Sequence, residues 1–484
     1  MSETVQDDKP LAARAGRALG WSFASTALAR FGTLAIGIAL ARILGPEQFG
    51  TFAVAMVALL AVLSFNELGV SLAIVRWPGQ PRAIAPTVAT ISIVSSAVVY
   101  AACYLGAPAF ARLMGDADAT PVVRLLALCV LVNGAVAAPA ALLQRQFRQD
   151  RKMIADQVTT WLGAFVSIAG ALAGLGAMSL AIGQLAGSIA GGVLLAAFAP
   201  DGLRLGFDRG TARALLRFGL PLAGSSIVVF AVANIDRLIV GAVLGPVPLG
   251  FYVLAVNLSN WPVTMFSQPV RAVAPAALAR LQGEPAAMRR TFLSTAGLLA
   301  SVTVPVCVLL AVAAEPLIRL VYGVEWGPAS AVLPWLALLG ALRIAFELIY
   351  DYFVVLANTR VVFTVQVLWL LVLMPAVFFG ARTGGSPGAA AAQFTVGLLV
   401  VLPIYLYELR RAGIAPGAFL GRLAVPVFGG GLAAALAYVA GATLDVDLVV
   451  VAVMGVVGLV AIAALLYRSR HALRSLRAVS ATAE

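Results

Sequence analysis

The sequence predicts an all-α polytopic membrane protein of about fourteen transmembrane helices, arranged as two parallel-repeat lobes around a central cavity. Three observations predict it: a composition too apolar for water, a regular alternation of apolar runs with basic breaks, and a seven-residue turn written twice. Of the 484 residues, 62% are hydrophobic and only 11% are charged, and mean hydropathy is +0.99. A soluble domain has about 45–50% apolar and about 25% charged residues. The apolar runs reach roughly 20–25 residues, enough to cross about 30 Å of hydrocarbon as helices, and they lack the strict alternation of barrel strands.

The first run follows a charged stretch with Glu3, Asp7, Asp8, Lys9, Arg14 and Arg17. No short apolar core precedes a small-residue cleavage site, so span 1 is expected to be retained as a signal anchor. Charged or Gly/Pro-bearing breaks then place spans near 19–44, 49–74, 84–110, 121–143, 154–175, 177–199, 214–243, 249–278, 292–314, 328–352, 361–380, 387–408, 418–440 and 447–467. Small residues blur the ends of the pairs at 154–199 and 418–467. Residues 1–200 are read as the N-terminal lobe (spans 1–6) and 201–408 as the second lobe (spans 7–12). Residues 409–484 are read as two additional helices and a basic tail.

Charge placement supports an even count. With a cytoplasmic N-terminus, Arg42, Arg112, Arg124, Arg319 and Arg382 fall outside, and Arg30, Arg237, Arg271 and Arg343 fall within spans. The other 24 of the 33 lysines and arginines lie in inner segments, while the outer links hold acids such as Asp116, Asp118, Asp445 and Asp447. This asymmetry predicts fourteen spans with both termini in the cytoplasm. Basic inner loops beside anionic membrane lipids account for the net charge of +12, so no nucleic-acid partner is expected.

The repeated turn is LGPEQFG at Leu44–Gly50 and LGPVPLG at Leu244–Gly250. Gly-Pro punctuates helices, because proline fixes φ and lacks a donor while glycine accepts dihedrals that other residues resist. Six spans separate the copies, so the halves run in the same orientation. The 200-residue offset also aligns Arg17 with Arg217, Ser25 with Ser225 and Ala55 with Ala255. Two lobes related by an axis along the membrane normal follow, with a path between them. The alternative is a convenient tight hairpin used twice by chance.

The stretches LARILGPEQFGTFAVAMVALLAVLSFNELGVSLAIVR and NIDRLIVGAVLGPVPLGFYVLAVNLSN resemble the lobe openings of bacterial polysaccharide transporters. These are the O-antigen and exopolysaccharide flippases of the multidrug/oligosaccharidyl-lipid/polysaccharide exporter superfamily. The resemblance covers nearly the whole chain in length, span count and orientation. It implies a V-shaped pair of lobes in the bacterial cytoplasmic membrane that moves an undecaprenyl-diphosphate-linked oligosaccharide from inner to outer leaflet by alternating access. Membrane lipids surround it, and the polysaccharide polymerase and chain-length machinery are candidate partners. Family members often carry an acid before Leu-Gly late in helix 2, here Glu67-Leu68-Gly69, and an Asp in helix 7, here Asp236. Glutamate in place of the usual helix 2 aspartate keeps the charge and alters its reach.

Charges inside the bilayer are the candidate site, because each costs about 2.5–3.5 kcal/mol at a helix centre and normally faces a cavity or a partner. Arg30 lies mid-span 1, and Arg343 mid-span 10, with Glu347 and Asp351 following at i+4 steps on one face. Arg237 lies beside Asp236 in the outer part of span 7, Arg271 in the inner part of span 8, and Glu67 near the inner end of span 2. A guanidinium is always charged and grips phosphate oxygens as a fork, so these arginines suit a diphosphate. Arg30 and Arg343 are expected to hold it, with Glu347 orienting Arg343. Asn257, Asn260 and Gln268 in span 8 offer polar surface for sugars, and Pro262, Pro269 and Pro275 predict bends in the same span. The blander alternatives are an interhelical structural pair for Arg30 and Arg343, and snorkelling for Arg271, Asp351 and Glu67. Asp236 and Arg237 could instead neutralise each other.

Other classes fail on missing residues. The two lysines occur as Lys9-Pro10 and Lys152-Met153, so there is no P-loop, and the sole histidine, His471, lies in the basic tail. Cys103, Cys129 and Cys307 fall inside spans and read as core residues. No metal, cofactor or catalytic constellation is expected, and hence no enzyme. The rival transport readings are a peptidoglycan-precursor flippase, which shares the diphosphate, and a drug or cation antiporter. The antiporter should bury carboxylates without an excess of arginine.

Overall fold

The computed structural model describes residues 11–66, 74, 81–146, 148–442, 444 and 446–468. For residues 11–31, 64–66, 81, 82, 218, 220–229, 269, 272, 273, 276, 277, 359 and 442 the description is of the backbone alone. The described residues are helical with short connections and include no strand. The chain is a multi-pass membrane protein: among the described residues nine helical stretches are long and apolar enough to cross a bilayer.

Spans 1 and 2 form one element, α1 (Leu11–Asn66), broken at Gly45. α2 (Pro81–Leu113), α3 (Ala119–Arg145), α4 (Gln149–Leu172) and α5 (Ala177–Phe198) follow. After a 3-10 turn at Pro200–Leu203, Asp208 caps α6 (Arg209–Leu244) by accepting the Thr211 amide at 2.6 Å. Hydrogen bonds from the Thr211 hydroxyl and amide hold the Asp208 carboxyl below its usual range.

α7 (Pro246–Pro262) continues through a π turn at Val263–Ser267 into α8 (Gln268–Arg280), which is the interruption that the prolines of span 8 predict. α9 (Pro285–Val312), the short α10 (Ala314–Val321) and α11 (Leu333–Val355) come next. α12 (Thr359–Val396) is broken at Gly385 and passes through a second π turn, Gly397–Val401, into α13 (Leu402–Arg411). α14 (Pro416–Ala442) and α15 (Asp447–Arg468) close the order.

Each of the fourteen expected spans falls on a helical segment, span 2 as far as it is described. Two of the nine long apolar stretches, Gly32–Leu63 and Arg360–Arg411, each hold two spans around a glycine break. Of the spans outside the nine, α4 holds Asp156, Thr159 and Thr160, and the π turn divides α7 from α8.

The two copies of the turn adopt one conformation. Gly45 has φ 68° and ψ 175°, Gly245 has φ 87° and ψ −173°, and both values lie where an L side chain is strained. Ala55 and Ala255, equivalent in the repeat, are both fully buried. The copies also meet. A methyl group on Gly50 would collide with the Pro246 carbonyl, and one on Gly250 would lie 3.0 Å from the Pro46 carbonyl oxygen. Such reciprocal contact is what a pseudo-two-fold between lobes requires.

Around this contact the lobes are sealed. Arg42 Nε donates to the Val321 carbonyl at 2.7 Å, and its Nη2 donates to that of Leu320. Trp326 is buried, donates from Nε1 to the Ala41 carbonyl at 3.2 Å, and takes Phe49 and Phe251 edge-on at 5.4 and 5.9 Å. A single apolar core runs from Ala41 and Val54 of α1 to Leu249 and Tyr252 of α7.

Candidate functional site

Beneath the seam lies a cavity of about 410 Å3 where Leu60 and Leu63 of α1 face α6, α7 and α11. Its polar lining is Asn234, Asp236, Arg237, Ser259, Asn260, Arg343 and Gln393. A second chamber of about 440 Å3 shares Asp236, Arg343 and Gln393 with the first and extends past Arg271 and Glu347 to the aromatic wall of α11 and α12. A smaller pocket of about 210 Å3 holds Asn257 and Arg237 among Phe49 and Phe52.

Among the described residues, Arg237 and Arg343 are the cavity arginines that make no ion pair. Arg237 Nη1 donates to Asn234 Oδ1, one turn back on α6, at 2.7 Å, and its Nε is buried without a hydrogen-bond partner among the described residues. Arg343 Nη1 donates to Asn260 Oδ1 at 3.2 Å. Among the described residues neither guanidinium has a carboxylate within 4.0 Å; the carboxylates near the chambers pair elsewhere. Neutral amides thus orient both forks and leave their charge available.

Asp236 does not neutralise its neighbour Arg237. Its Oδ2 accepts the Tyr252 hydroxyl at 3.0 Å, while Gln393 Nε2 donates to the Tyr252 oxygen. Asp236 Oδ1 is buried with no hydrogen-bond partner among the described residues, and Tyr252 is wholly buried.

Arg271 is different. It donates to Asp351 through Nε at 2.8 Å and Nη2 at 3.0 Å, and its Nη1 lies 3.6 Å from Glu347 Oε2. Ser267, in the π turn, donates to the same Glu347 oxygen at 2.7 Å. This corrects the expected Arg343–Glu347 pairing. Helical side chains lean toward the N-terminus, so Arg343 reaches away from Glu347, and an Arg placed N-terminal to a Glu is the weaker i+4 order. Asn260 orients Arg343 instead, and Glu347 with Asp351 serves Arg271.

The remaining expectations divide. Gln268 is exposed and lines neither chamber, and Asn257 lies in the small pocket beside Arg237. Asn260 reaches the cavity but spends its oxygen on Arg343. The side chain of Arg30, and Glu67 altogether, lie outside the described residues. Sequence reasoning passed over Asn234, Tyr252, Gln366, Trp369 and Gln393. The amides among them carry a signal of their own, since an amide inside an apolar run normally finds a polar partner or cavity.

A seam of paired Gly-Pro turns above an arginine-lined cavity coincides with a known family. The polysaccharide biosynthesis protein family matches residues 39–331. The chain belongs to that family. It is 23% identical over 364 residues to the lipopolysaccharide biosynthesis protein WzxC of Escherichia coli, covering 75% of this chain and 73% of that one. It is 24% identical over 409 residues to the succinoglycan biosynthesis transport protein ExoT of Rhizobium meliloti, covering 83% and 81%.

Among solved structures, the lipid II flippase MurJ in its inward closed conformation matches with a TM-score of 0.73 at 16% identity, over 91% of this chain and 98% of that chain. An inward-facing multidrug resistance MATE transporter matches at 0.63 and 16% identity, over 79% and 94%. These likenesses show the fold: the two-lobe helical architecture of the exporter superfamily, as the lobe openings implied.

Proposed function

We propose that this polysaccharide biosynthesis protein is a flippase. It carries an undecaprenyl-diphosphate-linked oligosaccharide, the repeat unit of an O-antigen or exopolysaccharide, from inner to outer leaflet of the bacterial cytoplasmic membrane. The lobes alternate access around the cavity, both termini are cytoplasmic, and the turn seam faces outward. The observation that carries the reading is the pair Arg237 and Arg343: two permanent cations in one cavity at the lobe junction, each oriented by an asparagine and neither ion-paired among the described residues, with Asp236 as the cavity's one described carboxylate. Holding them uncompensated in a membrane is costly unless an anion spends part of the cycle between them. A diphosphate offers two linked anionic groups to two forks.

In this reading Asp236, held by the Tyr252 hydroxyl that Gln393 in turn positions, is the coupling carboxylate, and its Oδ1, unpartnered among the described residues, is the acceptor a coupling cation would meet. Arg271 clamps α8 to α11 through Asp351 and Glu347 and takes no part in the grip. The process breaks no covalent bond, so it is transport and not catalysis, and it needs no cofactor. WzxC is named for lipopolysaccharide biosynthesis and ExoT for succinoglycan transport, and both names favour a glycan cargo over a drug. A cationic drug would also be repelled by the unpaired arginines. The match to the polysaccharide family weighs against the peptidoglycan precursor, whose diphosphate is the same.

The test uses a strain lacking the gene, in which lipid-linked oligosaccharide should accumulate on the cytoplasmic side. Complementation with Arg237→Leu or Arg343→Leu should give normal protein abundance and no sugar accessible at the outer leaflet. Lysine restores charge without the fork, so Arg343→Lys should rescue in part. Arg30→Leu asks whether a third arginine takes a turn at the diphosphate. Retained export in both Arg237→Leu and Arg343→Leu would sink the assignment.

A further inference from the structure

The second chamber differs from the first in kind. Both hold Asp236, Arg343 and Gln393, but where the first adds Arg237 and asparagines, the second adds Tyr350, Gln366 and Trp369 beside Arg271 and Glu347. Phe346 stands edge-on to Trp369 at 5.7 Å and against Tyr405 at 5.4 Å, which fixes the plane of the indole. Trp369 Nε1 is buried with no hydrogen-bond partner among the described residues.

A sugar ring has apolar C–H faces and a rim of hydroxyls. A rigid aromatic face flanked by amide, carboxylate and phenol groups answers both, because the ring covers the C–H face and the polar groups meet the rim. We propose that Tyr350, Gln366 and Trp369 form a glycan subsite that takes the sugar next to the diphosphate. This rests on the flippase reading and adds to it. Arg343 and Gln393 line both chambers, so a group in the second lies beside an anion held in the first.

The rival occupant of an aromatic chamber is the prenyl chain. A hydrocarbon there would desolvate Gln366, Gln393, Tyr350 and Glu347 and give them nothing in return, which disfavours it. The polar surface expected on α7 and α8 is also committed or distant, with Asn260 bonded to Arg343 and Gln268 exposed. The wall on α11 and α12 offers an aromatic face and amides together.

The experiment compares two probes on the full-length purified protein by native mass spectrometry. One is undecaprenyl diphosphate without sugar, and the other is the lipid-linked oligosaccharide extracted from the deletion strain. The wild type should hold the glycan-bearing lipid about tenfold tighter. Trp369→Leu and Gln366→Leu should bring the two lipids toward parity while binding of the bare lipid stays unchanged. Trp369→Phe, which keeps a ring and loses the N–H, should fall between and reports even if Trp369→Leu does not fold.

A preference for the glycan that survives Trp369→Leu, or a wild type that binds both lipids equally, overturns the subsite and leaves the flippase intact. Equal weakening of both lipids by Trp369→Leu assigns the wall to the prenyl chain or to folding, and also overturns it. A wild type that binds neither lipid removes the flippase reading and the subsite with it.

Discussion

Arg271 and Arg343 are both arginines on walls of one chamber, yet among the described residues Arg271 alone of the two is ion-paired. The difference comes from the backbone. The π turn at Val263–Ser267 inserts an extra residue per turn just before α8, which resets the face that Arg271 presents and brings Ser267 onto Glu347. Asp351 is 7% exposed, so removing its partner leaves a buried anion. Loss of one member of a fully buried pair costs about 3–5 kcal/mol. Arg271 is a third exposed, so about 1–3 kcal/mol is the better expectation after solvent screening. Arg271→Met should therefore lower the thermal midpoint of the purified protein, and adding Asp351→Asn should recover most of the loss; a wild-type midpoint in the single variant would show that the clamp carries no stability. The sequence announced that these charges matter, since each is expensive in a span. It could not announce their partners, because the choice between Glu347's own-helix neighbour and Arg271 depends on a helix irregularity that Pro262 permits and does not specify.

At the scale of elements, the helices were legible because length and hydropathy alone define a span, and the breaks at Gly45 and Gly245 because Gly-Pro leaves the chain few alternatives. What the repeat did not reveal is that its copies touch. Gly50 and Gly250 sit one turn into the helices that follow the breaks, and they lack side chains because the opposite copy's backbone occupies that space. Gly50→Ala places a methyl against the Pro246 carbonyl, which is backbone and cannot swing aside. Overpacking of this kind costs about 1–3 kcal/mol. The variant should unfold at lower temperature than Gly37→Ala, whose new methyl meets nothing within 4 Å. Equal midpoints for the two would mean that the turns do not bear on one another in the folded protein.

At the scale of the whole molecule, the seam and the cavity form one device, with α10 as the part shared between them. Its carbonyls at Leu320 and Val321 accept Arg42 of the first lobe, while Arg319 is held by Asp447 of α15 through two bonds of 2.7 and 2.6 Å. The Arg319 pair keeps α10 with the C-terminal helices, so the seam can part by releasing Arg42 and by withdrawing Trp326 from Ala41, Phe49 and Phe251. Truncating a buried aromatic costs about 3–5 kcal/mol. Each 1.4 kcal/mol of that loss which falls on the sealed state alone shifts the populations about tenfold toward the open one. The reporter is Ala233→Cys, which lines both chambers, in a chain whose Cys103, Cys129 and Cys307 are replaced. An impermeant maleimide added outside should label it slowly, and several-fold faster once Trp326→Ala is added. Glu47→Cys beside the turn and Gly210→Cys at the start of α6 are the controls, reactive and unreactive from outside respectively. The reverse pattern in the controls would invert the orientation of the chain, and an unchanged rate at Ala233→Cys with correct controls would show that Trp326 does not hold the barrier between the cavity and the outer face.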